Sequence, residues 1–360
     1  MKKLTVLSII FLSLLLAGCS GRIYDNRASA VPENAEYFLP GAQWRDTDGE
    51  LIQAHGGQVQ LMPVPGEDGT LSEKYVWVGE DKRNGHTGNP VAMYWSDDLY
   101  SWHFGGDVLH SVPSREALDT DPYFTALYEG CSAEELDRIY DIIGEDKVME
   151  RPKMLYNEKT GKYVVWFHND DSTEKNAYKY DTGMAGVAVS DSPFGPFRLV
   201  DRYRLSECPD GAIDCFPDSK GEARDMNLFK DDDGTAYIIY TSENNKTIYI
   251  SKLNADHTYL SKDPRDAVYG EDYIRIFPGA MREAPVLIKN NGKYYIMTSS
   301  TTGWASNEAR VWSCDSIFGK WKNDGGPCAG EYGDITFDTQ STSIFRAKNG
   351  QWIYYGDRWN

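Results

Sequence analysis

Residues 281–300 read MREAPVLIKNNGKYYIMTSS, and this stretch decides the fold because its pattern recurs along the chain. Related stretches occupy residues 150–168, 223–242 and 339–358, and each contains a short apolar strand, a polar turn and an aromatic-rich second strand. The turns share a glycine near their end, at Gly161, Gly234, Gly292 and Gly350. These glycines are 73, 58 and 58 residues apart. β-Hairpins repeated at such intervals predict an all-β fold, a β-propeller, whose blades place their first strands along a central channel.

Further strand patterns extend the predicted blades. Residues 53–80 read as the first hairpin, and residues 92–96 read as an outer strand. The outer-strand pattern returns at residues 186–190, 248–251 and 311–313. We therefore predict a five-bladed β-propeller. The sequence ends just after the inner hairpin of the fifth blade, so we expect an incomplete last blade and a longer parent protein.

One segment departs from the β pattern, at residues 132–143 (SAEELDRIYDII). Its apolar side chains recur at helical spacing, at Leu136, Ile139, Tyr140 and Ile143. Ser132 and Glu135 have the spacing of a capping box, in which each side chain bonds a backbone N–H of the other. The pattern predicts a short helix inserted between blades one and two, either packing on the scaffold or shaping the rim of the channel.

Composition narrows the class of partner. Of 360 residues, 41% are apolar and 13% aromatic, and the formal net charge is -18. Such acidity argues against nucleic acid or an anionic membrane surface as a partner. Abundant Trp and Tyr beside many carboxylates suit carbohydrate binding, although aromatic side chains also fill β cores. We expect an oligosaccharide or polysaccharide partner and a monomeric protein.

The N-terminus has the features of an export signal. Residues 1–20 read MKKLTVLSIIFLSLLLAGCS, with two lysines, an apolar run too short to span a membrane, and small residues before a cysteine. This resembles a bacterial lipoprotein signal peptide (residues 1–19) with Cys19 as the lipidated residue. Residues 20–36 then read as a tether, and residues 37–360 as the catalytic propeller. The predicted location is periplasmic or at the cell surface, with the bacterial outer membrane favoured and membrane contact only through the lipid.

Five cysteines remain in the mature chain, in a compartment that permits disulfides. Cys208 and Cys215 flank one short loop, and Cys314 and Cys328 flank another, so each pair is a candidate disulfide. Cys131 would then be a free thiol. The sequence has no Cys-x-x-Cys motif or Cys/His cluster, and we expect neither a metal nor another cofactor.

Superposing the four turn glycines aligns the residues that begin each hairpin. One position is then shared by Arg151, Arg224, Arg282 and Gln340, each ten residues before its turn glycine. Glu283 aligns with Asp225, and Glu150 stands two residues before their equivalent. Glycoside hydrolysis needs one carboxylic acid to protonate the leaving oxygen and a second group to activate water. Acids converging on one channel therefore indicate a glycosidase, whereas isolated acids at strand ends more often form salt bridges.

Short motifs at the blade starts and in the loops between them point to a known family. They are residues 52–57 (IQAHGG), 150–158, 224–232, 242–247, 282–285, 302–304, 340–342 and 356–360. Together they make the chain similar to glycoside hydrolase family 43, and especially to its exo-β-1,3-galactanase-like branch and neighbouring subfamilies. The resemblance spans nearly the whole mature chain and implies a five-bladed propeller that inverts the anomeric configuration.

The resemblance also implies catalytic roles. Glu283 falls on the family's general acid, and Asp225 on the aspartate that tunes its pKa. The family's usual base, an Asp of the first blade, is absent, because the sequence around His55 is AHGGQ. In the galactanase-like branch, Glu150 and Gln340 are the positions proposed to replace it. Glu150 is the simpler base, while Gln340 could act as an imidic acid or by holding water, and the sequence leaves both open.

Four further residues fall on motifs that bind the sugar in the resembled branch: Glu80, Trp304, His55 and Asn244. Trp304 would stack on the sugar face. Glu283 must be protonated near neutral pH, so we expect a nearby Asp225 and partial burial to raise its pKa, and Arg224 and Arg282 to orient other carboxylates. Inversion further predicts acid and base about 6.5–9.5 Å apart, with water between them.

The activity that this implies is removal of β-1,3-linked galactose from galactan or arabinogalactan side chains. Two alternatives remain. An α-L-arabinofuranosidase could be built on the same propeller, since fold does not determine substrate. The second alternative is a surface lipoprotein that binds glycans without hydrolysing them, because the first blade lacks the family's usual catalytic Asp.

Overall fold

The computed structural model describes residues 38, 41–66, 68–83, 85–171, 182–216 and 220–358. The predicted signal peptide, Cys19 and the tether lie outside these residues. In the described part of the chain, no helix combines the length and hydrophobicity needed to cross a membrane. The chain divides into two units, residues 1–44 and residues 45–360. Within the first unit, the rings of Phe38 and Trp44 stack with their centroids 5.6 Å apart.

Four four-stranded antiparallel sheets and one two-stranded sheet form the second unit, and each sheet is a meander in chain order. The first sheet contains β1 (His55–Pro65), β2 (Leu71–Glu80), β3 (Val91–Ser96) and β4 (His103–Leu109). The second contains β5 (Lys147–Asn157), β6 (Lys162–Asp171), β7 (Met184–Ser190) and β8 (Arg198–Tyr203). The third contains β9 (Arg224–Lys230), β10 (Ala236–Ser242), β11 (Thr247–Lys252) and β12 (Tyr273–Ile276). The fourth contains β13 (Arg282–Asn290), β14 (Lys293–Ser300), β15 (Arg310–Cys314) and β16 (Lys322–Gly325), and the last contains β17 (Gln340–Arg346) and β18 (Trp352–Asp357).

The first strands of the five sheets are neighbours in space. β1, β5, β9 and β13 contact one another in succession, and β17 contacts both β13 and β1. The starts of these strands therefore meet around one channel, as the repeated hairpins predict, and the all-β propeller prediction is confirmed.

The blades are held together by apolar layers between neighbouring sheets. In β6, Val165 and Phe167 belong to the core shared with the first sheet, whereas Val164 and Trp166 belong to the core shared with the third. Successive side chains of a strand point to opposite faces. The continuous apolar run of β6 is thus explained by burial of both faces of its blade.

The predicted insertion lies between β4 and β5 and contains three helices. They are α1 (Ala117–Thr120), α2 (Pro122–Leu127) and α3 (Ala133–Ile143). The predicted capping box at the start of α3 is confirmed, since Ser132 and Glu135 bond each other's backbone N–H. The buried face of α3 packs against β5 and β8. The sequence reading missed α1 and α2 because elements of 4 and 6 residues are too short to show a helical period.

The two predicted disulfides have different outcomes. Cys208 and Cys215 are bonded, as predicted, and Cys131 is free. The prediction of a Cys314–Cys328 bond was wrong, because both thiols are free. Cys314 ends β15 and faces its own turn, so closely that a Cβ on Gly319 would lie 2.7 Å from its sulfur. Its sulfur therefore packs against the turn that follows β15.

Each inner strand carries a β-bulge near its start. Each bulge appears as a shift in the pairing register between two residues of the inner strand. In chain order the pairs are His55/Gln58, Glu150/Lys153, Arg224/Asn227, Glu283/Val286 and Ser341/Ser343. A bulge inserts one extra residue and reverses which side chains face the channel beyond it. In the first four blades the bulge holds a residue with positive φ: Gly56 (60°), Arg151 (53°), Asp225 (34°) and Ala284 (51°). At Gly56 a Cβ would lie 2.7 Å from Glu80 Oε1, so close packing as well as φ requires glycine there.

Candidate active site

The starts of β9, β13 and β17 bring three of the predicted catalytic residues together. Gln340 Nε2 donates to Glu283 Oε1 at 3.0 Å and to Ser299 Oγ at 2.9 Å. Asp225 Oδ2 accepts the backbone N–H of Ala284 at 3.0 Å, which places its carboxylate beside the Glu283 bulge. Glu283, Asp225 and Gln340 therefore form one cluster at the channel.

Glu283 has the ionisation behaviour of a general acid. Burial raises its pKa most and the charge of Asp225 raises it further, to about 8, against the opposing influence of Arg151 and the Gln340 hydrogen bond. The sequence led us to expect both causes, and the structure makes burial the larger. Near neutral pH the carboxyl is consequently protonated and able to donate a proton.

Arg151 connects the blades around this cluster, a role that the sequence reading did not assign. Its backbone N–H donates to Glu80 Oε1 at 3.1 Å, and its Nε lies 3.3 Å from Asp225 Oδ1. Its guanidinium donates to the carbonyl of Ser341 at 3.2 Å and to the side-chain oxygen of Gln340. In the sequence, Arg151 was marked only by its place in the position shared by Arg224, Arg282 and Gln340. That alignment did not show which of these side chains points to the channel.

The other two arginines of that column point elsewhere. Arg224 lies 3.7 Å from Asp170 and 3.8 Å from Glu222, so the expectation that it orients carboxylates is confirmed. For Arg282 the expectation was wrong, because its guanidinium donates to Thr298, to Ser300 and to the carbonyl of Glu308. The three arginines differ in direction because each has a different place relative to the bulge of its strand. Arg151 lies inside the bulge, Arg224 begins it, and Arg282 stands one residue before it.

Glu150 lies in a second cluster, together with His168, Glu80 and Lys82. It pairs with His168 across β5 and β6, and its Oε2 lies 3.6 Å from His168 Nδ1. Glu80, which is 1% exposed, and Lys82 are ion-paired at 3.1 Å. Burial raises the pKa of Glu80 to about 7, with Lys82 opposing the rise and the charge of Glu150 adding to it. The channel thus has two clusters of acids: Glu283 with Asp225, and Glu150 with Glu80.

Three predicted sugar-binding residues remain: Trp304, His55 and Asn244. Trp304 is 53% exposed and lines a pocket with Gln340, Asn307 and Asp338. His55 pairs with Glu80 across the start of the first blade.

Asn244 is exposed, and its backbone N–H donates to Glu222 at 2.9 Å. Its neighbour Asn245 reaches the acid instead, with Nδ2 3.4 Å from Glu283 Oε2. The role of Asn244 in sugar binding stays a prediction, and Asn245 is a further residue of the same turn that the motif did not single out.

A buried lysine supports the floor of the site and was also missed. Lys153 Nζ donates to the carbonyl of Gly56 at 2.6 Å and to that of Arg151 at 3.2 Å. Burial and the charge of Arg151 lower its pKa to about 7. Lys153 therefore ties the bulge of the first blade to the bulge of the second.

Among the described residues, potential metal ligands cluster at Cys208, Asp214 and Cys215. The two sulfur atoms are joined in the disulfide, so this group does not have the thiolates that a metal site would need.

Comparison with known proteins places this site in a family. The sequence profile of glycosyl hydrolases family 43 matches residues 152–357. A family 43 β-1,3-galactosidase solved with galactodeoxynojirimycin is 33% identical, with 89% of this chain and 90% of that chain covered and a TM-score of 0.68. The exo-β-1,3-galactanase of Phanerochaete chrysosporium, solved with galactose, is 29% identical over 90% of this chain, with a TM-score of 0.65.

The exo-β-1,3-galactanase of Clostridium thermocellum is 28% identical over 89% of this chain, with a TM-score of 0.65. The matched region spans 61% of the Phanerochaete chain and 58% of the Clostridium chain. No curated protein sequence matches the chain.

The propeller, the raised pKa of Glu283 and these matches together define a glycosidase that hydrolyses O-glycosyl bonds. The chain belongs to family 43 of the glycosyl hydrolases.

Proposed function

We propose that the protein is an inverting, exo-acting β-1,3-galactosidase that degrades galactan or arabinogalactan side chains. The observation that carries the proposal is the cluster of Glu283, Asp225 and Gln340 at the channel, in which burial and Asp225 raise the pKa of Glu283 to about 8. The three similar structures, described as a β-1,3-galactosidase and two exo-β-1,3-galactanases, support galactose as the sugar. Trp304 at the mouth would stack on the sugar face.

We assign the base to Glu150 and a positioning role to Gln340. The amide N–H groups of Gln340 donate to Glu283 and Ser299, and its oxygen accepts from Arg151. An amide engaged in this way holds the acid in place, whereas proton removal from water needs a basic atom. Glu150 supplies a carboxylate, and the proposal places water between it and Glu283 across a gap of about 6.5–9.5 Å.

The proposal includes five blades, with β17 and β18 as the inner half of the fifth. Support comes from β17, which contacts the first strands of both the fourth and the first sheet. We also retain the proposal of a lipid-anchored protein, attached through Cys19 and located in the periplasm or at the cell surface. Its support is the sequence of residues 1–20.

The substrate assignment is tested by following three compounds: β-1,3-galactobiose, an aryl β-D-galactopyranoside and an aryl α-L-arabinofuranoside. We expect hydrolysis of both galactosides, and NMR of early time points should detect α-galactose, the inverted anomer. Glu283→Gln is the control: it should lose hydrolysis of β-1,3-galactobiose and keep more activity on the aryl galactoside, whose leaving group needs less protonation. Turnover of the arabinofuranoside alone would mean an arabinosidase, and galactoside binding without turnover would mean a glycan-binding protein.

The base assignment is tested with Glu150→Gln and Gln340→Ala. Glu150→Gln should lower kcat about 100-fold or more on natural and aryl galactosides alike, and azide should restore turnover as α-galactosyl azide. Gln340→Ala should lower kcat more than it raises KM, because positioning matters mainly in the transition state, and azide should not rescue it. Azide rescue of Gln340→Ala but not of Glu150→Gln would reverse the two roles.

A further inference from the structure

We propose that His168 is a positioning residue which, as an imidazolium held between Asp170 and Glu150, keeps Glu150 ionised and directed at the channel. The inference rests on the proposed role of Glu150 as the group that accepts a proton from water. His168 does not belong to any of the motifs that carry the family resemblance, and it has no role in the mechanism described so far.

The geometry places one buried histidine between two carboxylates. His168 is 2% exposed and stands directly opposite Glu150 in the β5–β6 pairing. Its Nε2 lies 2.7 Å from Asp170 Oδ2, and its Nδ1 lies 3.6 Å from Glu150 Oε2. A neutral imidazole has one N–H, whereas the imidazolium has two. Only the charged ring presents an N–H to both carboxylates at once.

Backbone hydrogen bonds hold the Asp170 carboxylate in place, and the carboxylate in turn holds the His168 ring. The residue is fully buried, and its Oδ1 accepts the backbone N–H groups of Thr182 at 2.7 Å and Gly183 at 3.1 Å. Its Oδ2 is thereby directed at the histidine. Because the Asp170 carboxylate cannot turn away, the second N–H of His168 points toward Glu150.

The charges around the ring favour its protonated form. Burial alone lowers the pKa of His168, but the hydrogen bond with Asp170 and the nearby Glu150 carboxylate outweigh it and raise the pKa to about 9. On the β7 side the ring faces Ala185, which has no charge. The other charged groups around the cluster are Arg151 on β5, Arg224 on β9, Glu222 before β9, Glu80 on β2 and Lys82 after β2.

The imidazolium offsets a specific obstacle to ionising Glu150. Glu80 is buried nearby, and each of these two carboxyl groups disfavours the charged form of the other. An opposite charge within about 4–6 Å lowers the pKa of a carboxyl group by about 1–3 units. His168 thus extends the activity of a Glu150 base toward lower pH.

The first measurement is an NMR titration of the histidine ring nitrogens in the full chain. We expect both nitrogens of His168 to remain protonated at pH 7.5. The matched control is His257, a buried histidine whose pKa burial lowers, and which should be neutral at that pH. A neutral His168 ring at pH 7.5 would overturn the proposal, and this readout does not depend on which substrate the enzyme uses.

The second measurement is the pH dependence of kcat/KM on an aryl β-galactoside. In His168→Gln the acidic limb should move to higher pH by about one unit or more, with KM little changed. Asp170→Asn should move it in the same direction while keeping the ring, and His257→Asn should leave it unchanged. An acidic limb that stays in place while activity falls would assign His168 a structural role only. If the parent enzyme has no galactosidase activity, the proposed substrate fails, and the ring titration still decides the charge of His168.

Discussion

Glu283 is the residue whose protonation state controls the chemistry of the channel. Its surroundings have opposing effects on the pKa of its carboxyl group. Burial and Asp225 favour the neutral form, and the ionised form is favoured by Arg151, the Gln340 amide and Arg282. The neutral form prevails because desolvation acts only against the charged carboxylate. Glu150, with a buried histidine beside it, has the contrasting environment. Two acids in unlike surroundings can divide the roles of acid and base.

The pKa of about 8 for Glu283 predicts the alkaline limb of the pH–rate profile. Glu283 donates only while protonated, so kcat/KM should fall about tenfold per unit as the pH rises above this value. In Asp225→Asn the like charge is gone, the pKa of Glu283 falls, and the alkaline limb should move to lower pH. Asp191→Asn, at an exposed ion pair with Lys162, is the control. An alkaline limb that Asp225→Asn leaves in place would refute this coupling.

At the scale of elements, the turn between β10 and β11 presents Asn245 to the acid. Glu243, Asn244 and Asn245 all have positive φ, at 53°, 56° and 60°. Three consecutive left-handed residues are unfavourable without outside support. Arg275 supplies it, with Nε 2.7 Å from Glu243 Oε1 and Nη1 2.8 Å from Asp214 Oδ1. One guanidinium therefore holds both the turn and the disulfide-closed loop.

Removing this arginine should destabilise the protein and loosen the turn. Arg275→Met leaves the fully buried Glu243 carboxylate uncompensated, and the free energy of unfolding should fall by about 3 kcal/mol. Adding Glu243→Gln should restore part of the loss, and kcat/KM should follow the same order. Chemical denaturation of the single and double variants measures the effect.

The control for this pair is Arg265→Ala, which removes an exposed ion pair with Asp263 and should not change stability measurably. A double variant less stable than Arg275→Met alone would show that the buried charge is not the cause.

For the whole molecule, the site exists only because five strand starts meet. Arg151 of the second sheet contacts groups of the first, third and last sheets, and Lys153 joins the bulges of the first two sheets. No single blade contains both a candidate acid and a candidate base. Closing the ring of inner strands is therefore the step that assembles the catalytic groups.

Much of this could be predicted from the sequence. The hairpin repeat determined the propeller, because alternation within strands and glycine at turns are local properties. The capping box determined the start of α3 for the same reason. The motifs at strand starts also located Glu283, Asp225, Glu150 and Gln340 near the starts of the inner strands, which a propeller brings together around one channel.

Tertiary structure decided which of these side chains meet. The bulges shift the facing residues by different amounts in each blade, so three arginines in one sequence column have three different environments. The partners of Arg151, the His168 pair and the free thiol of Cys314 depend on groups far away in the chain. A local pattern determines that a strand forms and where it begins. The direction of a side chain beyond a bulge, and the charge that it meets there, depend on how the neighbouring blade packs.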